Sequence, residues 1–266
     1  MSDTRIIMPG EVVSSEASLH LQGHGTYVDG CKLIATYLGT YKMVNQLAFV
    51  DPLHGKYAAQ VGDVVVGVVQ KISGNCWFIE IGSSERVQLS IFQVNTDELA
   101  NRRKDDEDLF EMKKIFDIDD VISCEVQRIS PSGTVMLQTR TNNYGRLTNG
   151  VLVNVKPSLM LRQSKHIHEL SCGVKMILGC NGYIWLSPRE MVGEATTKTE
   201  VFQNICTLRM IILCLAEANI KINYSIIWEM FQLFRQRFPG QTRLVREHMS
   251  QLLTWFLEKK KTMSQV

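Results

Sequence analysis

The sequence predicts an α+β, multidomain protein: a small N-terminal β module, a five-stranded barrel, and a C-terminal α/β domain with a helical tail. Three observations carry this. Strand-like alternation recurs in residues 61–89 and 121–139, glycine-marked turns punctuate the chain before it, and apolar residues take helical spacing after residue 197. A chain of 266 residues exceeds the usual single domain, and 45% hydrophobic residues suffice to bury a core in each part. The boundaries fall at 1–57, 58–142 and 143–266.

The central part is the most regular. Residues 61–72 are rich in β-branched side chains and stop at Ser73-Gly74-Asn75, which makes them a strand. Residues 76–81 follow, with Trp77, Ile79 and Ile81 on one face and Phe78 and Glu80 on the other. Gly82-Ser83-Ser84 closes that strand and 85–89 alternates in the same way. After a charged excursion, 121–129, the turn Pro131-Ser132-Gly133 and 134–139 supply a second hairpin. Five short strands with an insertion between the third and fourth is the strand count of an OB barrel, whose face and loops bind oligonucleotides. Other five-stranded barrels share the pattern.

The net charge of +2 is unevenly divided: −1 over residues 1–57, −5 over 58–142 and +8 over 143–266. A polyanion is therefore drawn to the C-terminal half, while the barrel must select a ligand through local groups. The seven cysteines contain no Cys-x-x-Cys pair and several lie in apolar strands or a helix, so they are expected as buried thiols in a reducing compartment. No apolar run reaches the roughly 18 residues a bilayer span needs, and residues 1–10 lack the features of a signal peptide. No membrane is expected.

In the N-terminal module, Pro9-Gly10 and Gly23-His24-Gly25-Thr26-Tyr27 mark turns, and 31–38 and 44–50 are strands separated at Gly39-Thr40. The glycines around His24 could cradle a phosphate, but a strand rather than a helix follows, which favours a tight turn. The acids 105–108 in the insertion could hold Mg²⁺; neighbouring acids on a polar loop are more simply a solvated face. His166 and His168, spaced to point one way on a strand, lack a third metal ligand and read as surface or hydrogen-bonded imidazoles.

Residues 150–155 form a short strand and Pro157-Ser158 opens a helical turn. Then Gly179-Cys180-Asn181-Gly182 separates two strands. Glycines at this spacing leave backbone N–H groups uncovered, as in the Gly-x-x-Gly loop with which a KH domain clamps a sugar-phosphate chain; Asn181-Gly182 is equally an ordinary hairpin turn. Helices are predicted at about 197–219, opening on the capping box Thr197-Lys198-Thr199-Glu200, at 225–238, ending at Pro239-Gly240, and at 242–260. His248 on the last of these is expected as a satisfied core residue rather than a ligand.

An OB barrel followed by a KH-like unit, with a small β module in front, resembles the cap subunits of the RNA exosome. It is most similar to the ribosomal-RNA-processing family that joins an N-terminal domain, an S-one-type barrel and a KH domain. The residues that carry the resemblance are Gly23-His24-Gly25-Thr26, Val61-Gly62-Asp63-Val64-Val65-Val66-Gly67, Thr139-Arg140, Tyr144-Gly145-Arg146-Leu147, Gly150-Val151-Leu152-Val153 and Pro157-Ser158-Leu159. Arg162-Gln163, His166-Ile167-His168-Glu169-Leu170, Cys172-Gly173 and the Gly-x-Asn-Gly run from Gly179 to Trp185 extend it. It ends at about Pro188.

The resemblance implies a non-catalytic subunit without a cofactor or metal, seated with other cap subunits on a ring of RNase-PH-like subunits. It would bind single-stranded RNA and guide it to an associated 3′ to 5′ nuclease, in rRNA processing and mRNA turnover, in the nucleus, the nucleolus and the cytoplasm. Gly23, His24, Gly25 and Thr26 are the expected ring-assembly residues. The expected RNA contacts are Lys71, Phe78, Arg86, Arg128 and Arg140 on the barrel, with Arg162, Lys165, Gly179, Asn181, Gly182 and Tyr183 on the KH-like surface. The barrel lacks the paired aromatics of bacterial relatives, Phe78 alone facing outward, so base stacking is expected to be slight. Two rivals remain open: a stand-alone OB/KH RNA-binding regulator, and a nuclease.

Overall fold

The computed structural model describes residues 5–15, 20–52, 55–95, 112–141, 143–189, 198–238 and 246–263. The chain divides into two compact units, Met1–Gly55 and Lys56–Val266.

Among its described residues the first unit is all β. Strands β1 (Ile6–Ile7), β6 (Gly39–Val44), β7 (Leu47–Pro52) and β3 (Leu21–Gln22) make one sheet in that order; β2 (Val12–Ser14), β5 (Lys32–Ala35) and β4 (Thr26–Asp29) make another. Their core is small, built on Ile7, Ala35 and Val50. The expected break at Gly39-Thr40 is corrected: these residues open β6, pairing with Pro52 and Asp51. The chain reverses instead at Asn45, whose φ of 55° is a left-handed conformation that asparagine tolerates.

The barrel is formed by β8 (Val64–Ser73), β9 (Cys76–Glu80), β10 (Val87–Ser90), β11 (Val121–Ile129) and β12 (Val135–Gln138). The strand order β12-β10-β9-β8-β11 closes through β11–β12. Only the β10–β12 pair in it is parallel. This is the OB connectivity, reached because every second residue is apolar: Trp77, Ile79, Ile81, Leu89, Val126 and Leu137 turn inward. A short helix, α1 (Met112–Ile115), plugs the barrel with Met112 and Phe116; Phe116 meets Trp77 edge-on and accepts its indole N–H at 2.9 Å. The acidic run 105–108 lies outside the described residues. Strand β13 (Gly145–Leu147) adds to the β11 edge.

The last domain is an antiparallel sheet, β14 (Val151–Asn154), β17 (Tyr183–Pro188), β16 (Val174–Leu178) and β15 (Ile167–Glu169) in that order. The helices α2 (Lys198–Glu217), α3 (Tyr224–Arg237) and α4 (Arg246–Met263) share its core. A 3₁₀ turn at Pro157–Leu159 follows β14. Helix α2 is long and apolar enough, by length and composition, to cross a bilayer. Its residues Val201, Ile205, Leu208, Ile212 and Leu215 are buried against the sheet and the other helices, as in the core of a globular domain. Its expected cap, Thr197, lies outside the described residues. Helix α3 is capped by Asn223, whose side chain accepts the Ile226 N–H at 2.8 Å.

Two smaller expectations change. Cys31 and Cys206 are exposed, although the other five thiols are buried or half-buried. The His248 ring packs on Phe238 at 4.5 Å, but its Nδ1 has no hydrogen-bond partner among the described residues, unlike the satisfied residue expected.

Candidate nucleic-acid interface

Outward-facing residues of the barrel form a continuous row. Strand register pairs Lys71 with Phe78, Phe78 with Gln88, Gln88 with Met136, and Met136 with Arg128. The pleat puts them all on the side opposite Trp77 and Leu89, so neighbouring strands present one line across the surface. A bulge in β8 between Val69 and Lys71 re-aims the lysine at this row. At one end a cleft of about 590 Å³ gathers Lys71, Phe78 and Arg86, with Ser83 and Ser84 on its wall. At the other end Arg128 rests its Nε 3.0 Å from the Met136 sulfur. Four of the five expected barrel contacts are thus brought into one band. Gln88 and Met136 belong to it as well; their outward places in the alternation of 85–89 and 134–139 were the signal that could have found them.

The fifth, Arg140, lies beyond β12, and its charge acts on Tyr144. Tyr144 and Lys165 line a second cleft of about 770 Å³ where the barrel meets the last domain. Burial, then the charge of Glu125, pushes the Tyr144 phenol up.

The Gly179 to Gly182 loop is turned toward the barrel. Gly179, Asn181 and Gly182 are buried, with Asn181 only 1% exposed. Asn181 binds the barrel: its Nδ2 donates to the carbonyls of Val66 at 2.7 Å and Ile81 at 2.9 Å, and its Oδ1 accepts the Val66 N–H at 3.3 Å. The Cys180 N–H donates to the Val64 carbonyl at 2.8 Å. Gly182 has φ +84°, and a Cβ there would stand 2.2 Å from the Val155 carbonyl oxygen. The loop is the hairpin turn that the sequence had left open, and it fastens one domain to the next. Tyr183, half-buried, packs with Val66, Ile177 and Trp185 in the same junction.

Arg162 is also drawn into this junction. Its Nη2 lies 3.3 Å from the carboxylate of Asp63, which accepts the Tyr57 hydroxyl at 2.6 Å. Burial first, and then this bond, holds the Tyr57 phenol far above its ordinary range, so it stays protonated. Burial likewise pushes the Cys180 thiol up to about 11. The two histidines are hydrogen-bonded: His166 Nδ1 to the Leu178 carbonyl at 2.8 Å and His168 Nε2 to that of Lys165 at 2.9 Å. Among the described residues no cluster of His, Cys, Asp and Glu is placed to hold a metal ion.

In the first unit the Gly23-His24-Gly25-Thr26 motif folds against β7. Gly23 donates to the Ala48 carbonyl, Val50 donates to that of His24, and the Thr26 hydroxyl donates to that of Gly23 at 2.8 Å. A Cβ at Gly23 would lie 2.6 Å from the Ala48 oxygen, so this close approach needs glycine. His24 alone of the four is exposed, its ring 5.6 Å from that of Tyr37.

A closed OB barrel bonded to a KH-like sheet is the architecture of the S1/KH class of proteins. Comparison with known proteins agrees: residues 56–128 match the family described as "RRP4, S1 domain" and residues 150–190 match the KH domain. The chain is 38% identical over 187 residues to the exosome complex component RRP4 of Mus musculus, covering 70% of this chain and 64% of the mouse protein. With the Saccharomyces cerevisiae protein of the same name it shares 36% over 185 residues, covering 70% of this chain and 51% of the yeast one. With the Arabidopsis thaliana homolog it shares 30% over 256 residues, covering 87% and 79%. The chain belongs to the exosome complex component RRP4 family. It spans a little under two thirds of the mouse relative's length and about half of the yeast relative's.

Proposed function

We propose that this protein is a non-catalytic RNA-binding subunit of the exosome that guides single-stranded RNA toward 3′ to 5′ processing and decay by an associated nuclease. The observation that carries this is the barrel band: Lys71, Arg86 and Arg128 supply phosphate contacts around one aromatic platform, Phe78, on a fold whose relatives are named exosome components. Assembly with RNase-PH-like ring subunits and other cap subunits is part of the proposal, with the first unit and its exposed His24 as the contact region. So is residence in the nucleus, the nucleolus and the cytoplasm, which rests on the family resemblance alone.

Anisotropy titrations with labelled single-stranded RNA test it. Phe78→Ala is expected to weaken binding about tenfold, one stacked base being lost. Lys71→Ala and Arg86→Ala should each flatten the dependence of log affinity on log salt by about 0.7. Unchanged affinity and salt slope in all three variants would remove the band from the RNA path. Shortening of the RNA by the pure chain with Mg²⁺ would overturn the non-catalytic assignment, and failure to co-purify with ring subunits while still binding RNA would favour a stand-alone regulator.

A further inference from the structure

The cleft at the junction of barrel and KH-like sheet is separate from the barrel band and is not used by the fastening turn. Its lining combines one half-buried aromatic ring, Tyr144, two lysines, Lys165 and Lys175, an amide, Gln163, and two carboxylates, Glu125 and Glu169. Neither lysine side chain makes an ion pair or hydrogen bond among the described residues. The Gln163 Nε2 is shielded from solvent and has no acceptor among the described residues, a donor whose partner a ligand would supply. Glu125 likewise has no ion-pair partner among the described residues, and Glu169 gives one oxygen to Arg189 at 2.9 Å, keeping the other. Arg140 adds positive potential beside Tyr144.

Each of these groups answers a different part of one ligand. A planar base stacks on a phenol ring; its flanking phosphates attract the lysines; a base carbonyl or ring nitrogen accepts the amide N–H; and a carboxylate accepts from an exocyclic amino group. The cleft, about 770 Å³, has room for a nucleotide. The carboxylates decide the chemistry. The lysines and Arg140 draw phosphate whatever the base, so selection among bases falls to Glu125, which a base without an amino group leaves unmatched. We infer that this cleft is a second nucleotide subsite, which takes a single base bearing an exocyclic amino group, with cytosine or adenine preferred to uracil, and it rests on the RNA-binding reading above.

Short labelled homopolymers of cytidine, adenosine and uridine, titrated against the full chain, test the inference. The native chain is expected to bind the cytidine and adenosine polymers more tightly than the uridine one. Tyr144→Ala should weaken the first two about tenfold and erase the preference, whereas Tyr144→Phe, which keeps the ring, should retain it. Glu125→Gln should reduce the preference while leaving uridine binding as it was. If Tyr144→Ala fails to fold, the double replacement of Lys165 and Lys175 by alanine, both on the surface of the cleft, carries the same expectation of weaker binding. A native chain that binds all three polymers equally, or a folded Tyr144→Ala that matches it, overturns the subsite while Phe78 dependence keeps the RNA reading. Binding to none of the polymers overturns both.

Discussion

Asn181 holds three barrel backbone groups with one buried amide, so its removal leaves the Val66 N–H and the Val66 and Ile81 carbonyls without partners inside the protein. Asn181→Ala is therefore expected to cost about 2–4 kcal/mol of stability, read from the urea midpoint at unchanged slope. Gly182→Asp adds a side chain at a positive φ where a Cβ would already collide with the Val155 carbonyl, and it should cost at least about 3 kcal/mol. Both losses are folding defects. RNA affinity per folded molecule should stay as in the native chain, because the glycine loop faces the barrel; a folded Asn181→Ala chain that has lost RNA binding would contradict this placement.

At the scale of elements, strand β15 is tied to helix α3 by His168, whose ring stacks on Tyr224 at 4.2 Å and 11°. Burial, reinforced by the neighbouring Lys165 and His166, pushes its pKa below the ordinary 6.5, with the Lys165 carbonyl bond opposing. The folded state thus disfavours the protonated ring. The unfolded chain takes up the proton first as pH falls through 6.5, so stability drops below that pH until the folded-state pKa is reached. Melting temperature should fall on acidification across this window, and His168→Gln should flatten that fall; an equal slope in the variant would assign the pH dependence elsewhere. The barrel strands were legible in the sequence because one face of each is core: Trp77, Ile79 and Ile81 against Phe78 and Glu80 is a period of two that admits one sheet. Phe78 and Arg86 lie outward in the same alternation, whereas Lys71 reaches that face through the bulge after Val69. What was illegible depended on partners far along the chain. Nothing local in Gly179-Cys180-Asn181-Gly182 shows that its amide meets Val66, 115 residues away, and nothing in Arg162 shows that it pairs with Asp63. The misplaced turn at Gly39-Thr40 has a similar origin, since cross-strand pairing with Pro52 overrode the glycine signal.

For the unit Lys56–Val266, barrel and KH-like sheet are joined by a shared apolar face, Val66, Ile177 and Trp185, with Val121, Leu147 and Tyr183 packed around it. Val66 and Ile177 are fully buried and Trp185 is 6% exposed, although each belongs to a different strand or domain. Around this face run the Asn181 bonds and the Arg162–Asp63 pair. Such a junction is a core in its own right, so the two domains should unfold together. A fragment of residues 56–147 contains every barrel strand yet exposes Val66 and Val121, and should lose on the order of 5 kcal/mol relative to the barrel within the full chain. Thermal melts followed by tryptophan fluorescence check this. In the intact chain Trp77 of the barrel and Trp185 of the last domain, isolated by replacing the other tryptophans with phenylalanine, should report one midpoint. The fragment should melt lower and bind a hydrophobic dye. Two separate midpoints, or a fragment as stable as the whole, would mean that the junction only brings the domains side by side. The distinction bears on function: a barrel and sheet that move as one body keep the Phe78 band and the Tyr144 cleft at a fixed separation, and a strand of RNA can then bridge both without reordering the protein.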